Sequence, residues 1–150
     1  QMAKNGGGSV INSSSIGGIS ATPGQWSYNP SKAAVIHFTK SAAVELGALG
    51  VRVNAVAPGN IDTEILGNAV GAGLGEEEKA AMMEKVRAFL MSRQPLQIQG
   101  QPIDIAEAVL FLGTPRSRFI TGTVIPVDGG QVTGSPAGSS GFRDAIRRDG

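Results

Sequence analysis

Tyr28 and Lys32 stand four positions apart where a helical pattern begins, and a hydroxyl-bearing Ser15 closes a strand-like run before them. Residues four apart share one face of a helix, so the phenol and the ammonium are neighbours. A phenol with an ordinary pKa of about 10 is a poor base at neutral pH. An ammonium about 5 Å away, at an effective dielectric of about 20, favours the phenolate by roughly 3 kcal/mol. The helix N-terminus adds partial positive charge. A phenol so placed can exchange a proton with an alcohol or carbonyl oxygen. A nearby serine hydroxyl can hold that oxygen by a hydrogen bond, and a nicotinamide can give or take hydride at the attached carbon. The spacing alone is cheap, because a tyrosine beside a solvated lysine on a helix surface needs no function. Context adds weight: the pair follows a strand in an α/β pattern, and open α/β sheets bind ligands beyond the carboxyl ends of their strands.

The elements that must position these groups follow from periodicity and punctuation. Gly6-Gly7-Gly8 precedes a short strand through Val10-Ile11 into Asn12-Ser13-Ser14-Ser15, and the Gly-, Ser- and Pro-rich stretch from Ile16 to Gln25 is a loop. Val35, Phe38, Ala42 and Leu46 recur at helical spacing within Asn29–Leu46, with Pro30 in the first turn, where its missing N–H costs nothing. Gly47 and Gly50 end that helix. Val51 to Ala57 is a second strand, stopped by Pro58-Gly59, and Asn60 to Gly75 is a long glycine-rich loop. Glu76, Glu77 and Glu78 suit a helix N-terminus, and Met82 or Met83, Val86, Phe89 and Leu90 continue that helix with one apolar face. Pro102, Asp104 and Gly113 bracket another helix. Thr123 to Val127 is a third strand, and Pro126 inside it favours a sheet edge. Strand–helix–strand–helix–helix–strand argues for a parallel sheet covered by helices, an α/β fold.

Composition excludes several chemistries. The 150 residues are 41% hydrophobic and 17% charged, as in one globular domain. A net charge of +1 gives no basic field for nucleic acid. Without cysteine there is no disulfide, thiolate zinc site or cysteine nucleophile, and the single histidine, His37, makes no metal cluster by itself. No apolar run is long enough to span a bilayer, and the start has no signal-peptide core. A cytoplasmic protein with no membrane partner is the default expectation. Serine-hydrolase and zinc-hydrolase signatures are absent. Gly71-Ala72-Gly73-Leu74-Gly75 has Glu76 at its sixth position and no strand before it, so it fits a flexible loop better than a nucleotide-binding turn.

Ser15, twelve residues, Tyr28, three residues and Lys32, within GGSVINSSSIGG and WSYNPSKAAV, resemble the active-site signature of the short-chain dehydrogenase/reductase family. Val51 to Thr63 (VRVNAVAPGNIDT) resembles the family's strand and Pro-Gly turn beside the nicotinamide, and Phe119 to Gly130 (FITGTVIPVDGG) its last strand. The resemblance covers about Gly7 to Gly130. It implies NAD or NADP as cofactor, a small-molecule alcohol or carbonyl as substrate, and a homo-oligomer in the full-length form. Tyr28 would be the general acid/base, Lys32 would assist it and bond the nicotinamide ribose, and Ser15 would position the substrate oxygen. Backbone groups near Pro58, Gly59 and Ile61 would contact the carboxamide, with Thr63 on the carboxamide or a phosphate. Ser14 is the rival to Ser15, and the twelve-residue interval favours Ser15. Ser13 stands where the family more often has an apolar residue. The helix around Met82 to Leu90 resembles a substrate lid, although packing explains its apolar residues first.

Two family features do not occur. There is no glycine-rich turn after a first strand to seat a pyrophosphate, and no acidic residue placed for the adenosine ribose. Asn5 and Asn12 do not occupy the motif of the family's catalytic asparagine. The expectation is therefore the C-terminal half of a Rossmann-like doubly wound parallel sheet, with three strands and covering helices. Residues 1–131 would be a partial dinucleotide-binding domain and residues 132–150 a flexible tail. An exposed apolar edge at Gly8–Ser14 and weak or absent cofactor binding by the isolated chain would follow. The alternative is a non-catalytic fragment that retains the family's oligomerisation surfaces.

Overall fold

The computed structural model describes residues 1–64 and 73–134. Three strands, β1 (Gly8–Ser13), β2 (Val51–Pro58) and β3 (Val124–Val127), form one parallel sheet in the order β1-β2-β3. Helix α1 (Tyr28–Gly47) links β1 to β2. Helices α2 (Glu76–Ser92) and α3 (Pro102–Gly113) lie between β2 and β3 in sequence. The observed order is the expected one, and the fold is α/β with helices on both faces.

Central position explains the composition of β2. Val51, Val53, Ala55, Val56 and Ala57 are all buried, so both faces of the strand are covered. On one face Val51 and Val53 pack with Ala43 of α1, joined by Val10, Ala42 and Leu46. On the other, Arg52 reaches the end of α3. Its Nη2 donates to the Leu112 carbonyl at 2.9 Å and its Nη1 to Ser117 Oγ at 2.9 Å, beside a Ser9 Oγ bond to the same Leu112 carbonyl at 2.8 Å. Asn54 is fully buried, and both ends of its amide are bonded. Its Nδ2 donates to the Ile120 carbonyl at 2.9 Å and its Oδ1 accepts from the Thr123 N–H at 3.1 Å, which leads the chain into β3.

Pro126 sits on a strand that is an edge among the described residues, as its chemistry requires. The Ala55 N–H donates to the Thr123 carbonyl and the Gly59 N–H to the Val127 carbonyl, both at 2.9 Å, so odd-numbered residues of β3 face β2. Pro126 alternates with them and turns its missing N–H outward.

Helix α1 differs from the expected packing at one residue. Phe38 is 63% exposed, and the inward position belongs to Thr39, which is fully buried. Thr39 Oγ1 donates to the Val35 carbonyl at 2.8 Å and accepts from Asn12 Nδ2 at 2.9 Å, so the hydroxyl enters the core with both bonding roles satisfied. In α2 the inward methionine is Met83, whereas Met82 and Phe89 are exposed. Glu78 accepts from the Gly75 N–H at 3.3 Å, and Asp104 from the Gln101 N–H at 2.7 Å, which secures the starts of α2 and α3.

The loop after β1 holds a short 3-10 turn at Ile16–Gly18. The loop expected over Asn60–Gly75 is crossed by an isolated bridge between Ile61 and Gly100, and its residues 65–72 lie outside the described residues. Of the expected tail, Val132 and Thr133 belong to a 3-10 turn that begins at Gln131, and residues 135–150 lie outside the described residues.

Candidate active site

Strands β1 and β2 carry the site at their carboxyl ends, with α1 pointing its first turn at it. Ser15 follows β1 in extended conformation and caps the next turn, its Oγ accepting from the Gly17 N–H at 3.1 Å. The neighbouring serines are occupied otherwise. Ser14 is buried and its Oγ donates to the Lys32 carbonyl at 2.8 Å, while the Ser13 carbonyl accepts from Lys32 Nζ at 3.4 Å.

Tyr28 is the first residue of α1 and 43% exposed. Lys32 Nζ lies 5.7 Å from the centre of its ring, within reach of a cation–π contact and close to the separation the helical spacing implies. The helix N-terminus adds its partial positive charge on the same side.

Close contact fixes α1 against the Ser15 turn. A Cβ on Gly18 would stand 2.7 Å from the carbonyl carbon and oxygen of Lys32, so only glycine lets the turn lie on the helix backbone. Asn29, next to Tyr28, is buried, and its Nδ2 donates to the Thr22 carbonyl at 3.2 Å. The bond ties the loop before the helix to its first turn.

Ser15, Tyr28 and Gly59 open on one cleft of about 480 Å³, together with Thr22, Asn60 and Gln131. Pro58 ends β2 and Gly59 follows it. A Cβ on Gly59 would lie 2.6 Å from the Cβ of Asp128, so a glycine is needed where the ends of β2 and β3 meet. Ile61 pairs with Gly100 farther along. Thr63 lies on a different, larger cleft of about 830 Å³ with Asp62, Glu76 and Met83, where Arg87 Nε stands 3.0 Å from Asp62 Oδ2. The structure thus brings Ser15, Tyr28 and Gly59 onto one cleft with Lys32 beside the tyrosine ring, while Ile61 and Thr63 do not line that cleft.

Asn60, Thr22 and Gln131 are cleft residues that the sequence does not single out. Asp128 has the structural role expected of an Asp-Gly turn. Its Oδ1 accepts from the Gly130 N–H and its Oδ2 from the Val132 N–H, both at 2.9 Å. Among the described residues no cluster of His, Cys, Asp and Glu could hold a metal ion, and no helix is long and apolar enough to cross a membrane.

Comparison with known proteins identifies the family. A family model described as enoyl-(acyl carrier protein) reductase matches residues 1–132. The 3-oxoacyl-(acyl-carrier-protein) reductase FabG of Thermotoga maritima is 44% identical over 131 residues, covering 87% of this chain and 48% of that protein. The ligand-free aldohexose dehydrogenase of Thermoplasma acidophilum superposes with a TM-score of 0.81 at 36% identity, over 90% of this chain and 52% of the other. The structure of ElxO with NADP bound matches with a TM-score of 0.74 at 37% identity, over 88% of this chain and 49% of the other. The chain spans about half the length of the relatives it matches. With a family model matching most of its length, and the Ser15, Tyr28 and Lys32 constellation assembled at the strand ends, the chain belongs to the short-chain dehydrogenase/reductase family.

Proposed function

We propose that the protein is an NAD- or NADP-dependent oxidoreductase that interconverts an alcohol and a carbonyl, with Tyr28 as general acid/base. The observation that carries this reading is that Ser15 and Tyr28 open on one cleft while the Lys32 ammonium stands 5.7 Å from the tyrosine ring. Ser15 uses its oxygen lone pair on the Gly17 N–H, which leaves its O–H to donate to a substrate oxygen. Tyr28 donates its proton to that oxygen during reduction and takes it back during oxidation. Lys32 stabilises the charge that develops on the phenol and keeps donors for ribose hydroxyls beyond its bond to the Ser13 carbonyl.

The donor set fits a nicotinamide dinucleotide, which supplies or removes the hydride when bound. Tyr28 and Lys32 would hold its ribose, and the Pro58, Gly59 and Ile61 backbone its carboxamide, with Thr63 on the carboxamide or a phosphate. The substrate is a small molecule. Residues 1–131 act as part of a dinucleotide-binding domain, residues 132–150 as a tail, and the full-length protein as a homo-oligomer in the cytoplasm.

The test is Tyr28→Phe in an active, full-length form of the protein. Turnover, followed by nicotinamide absorbance, should fall at least about 100-fold while the circular dichroism spectrum is retained. Retained turnover would refute the role given to Tyr28.

A further inference from the structure

The proton-transfer groups occupy one side of the cleft and leave a second polar edge unused. Asn60, just beyond β2, and Gln131, in the turn after β3, meet there, with Asn60 Nδ2 donating to Gln131 Oε1 at 2.8 Å. Both are half-buried and line the cleft that Ser15 and Tyr28 line. A carboxamide has two donor hydrogens and one acceptor oxygen. The mutual bond therefore leaves the Gln131 Nε2 group as a donor and Asn60 Oδ1 as an acceptor, neither bonded to another of the described residues.

The mounting of the pair is rigid. The Gln131 N–H donates to the Asp128 carbonyl at 3.2 Å, and the Asp128 carboxylate takes the N–H groups of Gly130 and Val132 on either side. Asn60 follows Gly59, whose N–H donates to the Val127 carbonyl at 2.9 Å. Each amide also orients the other. A donor and an acceptor fixed before a ligand arrives lose little entropy on binding it. The ends of β2 and β3 are already joined by the Gly59 bond, so the amide pair is not needed for that closure.

We infer that the Asn60–Gln131 pair is a specificity element that receives a hydroxyl or carboxamide on the substrate away from its reacting carbon. This rests on the oxidoreductase reading and names the substrate class for it: small ketones, and their alcohols, that carry a second group able both to donate and to accept. A hydroxyl oxygen would accept from Gln131 Nε2 while its hydrogen is given to Asn60 Oδ1. A hydrocarbon at the same place would cover both amides and leave them unpaired, which a polar site rejects strongly.

The test compares cyclohexanone with 4-hydroxycyclohexanone in an active, full-length form of the protein, with NADH and NADPH each supplied. The wild type should show the higher kcat/KM for the hydroxylated ketone. Gln131→Leu should lower the ratio of the two kcat/KM values about tenfold, chiefly through KM of the hydroxylated ketone. Asn60→Leu, made separately, should lower it similarly. A purely structural role, or damage to the fold, would depress both ketones together and leave the ratio where it was. An unchanged ratio in both variants, or no preference in the wild type, overturns the assignment while leaving Tyr28 chemistry intact. A wild type that reduces neither ketone with either cofactor likewise overturns the substrate class named here, whereas normal turnover by Tyr28→Phe sinks the oxidoreductase reading itself and takes this one with it.

Discussion

Adjacent serines at the end of β1 divide two kinds of work. The Ser14 hydroxyl is spent inside the protein on the Lys32 carbonyl at 2.8 Å, in a position only 3% exposed. The Ser15 hydroxyl accepts one N–H and faces the cleft with its own hydrogen still to give. Alternation along the extended chain after β1 turns one inward and the next outward. Ser14→Ala removes a buried hydroxyl and its bond to the helix that carries Lys32, so it should lower unfolding free energy by about 1 kcal/mol in a denaturant titration. Ser15→Ala removes the hydroxyl that holds substrate together with the acceptor of the Gly17 N–H. It should cost about 1 kcal/mol of stability while kcat/KM falls at least about tenfold, a loss that destabilisation of that size does not produce. The reverse pattern, with Ser14→Ala harmless to stability and Ser15→Ala harmless to turnover, would exchange the two roles.

The distance between Ser15 and Tyr28 is set by how the Ile16–Gly18 turn seats on α1, and no side chain intervenes at the contact. With Gly18 replaced by alanine, a methyl group would have to occupy space 2.7 Å from the Lys32 backbone. Overpacking of this kind typically costs about 1–3 kcal/mol. Gly18→Ala should therefore lower the melting temperature and reduce kcat together, because the displaced turn carries the Ser15 hydroxyl away from the phenol. Much of this element framework was legible in the chain. Pro58-Gly59 marks the end of β2, the run Glu76–Glu78 marks the start of α2 and Pro102 the start of α3, because each is a local chemical signal. Tyr28 and Lys32 were legible for the same reason, since four residues on a helix make a fixed geometry. Thr39 was not, because an apolar pattern passes over a threonine whose hydroxyl is satisfied by Asn12 and by its own helix. The Asn60–Gln131 meeting was not legible either. Those residues are 71 positions apart, and they meet only because β3 lies beside β2 in the sheet.

At the scale of the whole molecule the described surface exposes several large apolar side chains. Trp26 is 86% exposed, Phe38 63%, Val44 82% and Phe119 96%, and β1 has no strand on its outer side among the described residues. In the 150-residue chain these side chains face water. Two routes to association then compete. An apolar helix face can pair with its own copy about a two-fold axis. The open edge of β1 can pair with a strand edge of another copy. Phe38 and Val44 both lie on α1, six residues apart and outside the core contacts made by Thr39 and Ala43, so glutamate there removes apolar surface without opening a cavity. The isolated chain should self-associate at micromolar concentrations in sedimentation velocity, and the double variant Phe38→Glu, Val44→Glu should shift it toward monomer with an unchanged circular dichroism spectrum. A distribution insensitive to both substitutions would place the contact at the β1 edge instead, and a lysine at Ile11 should then disperse it.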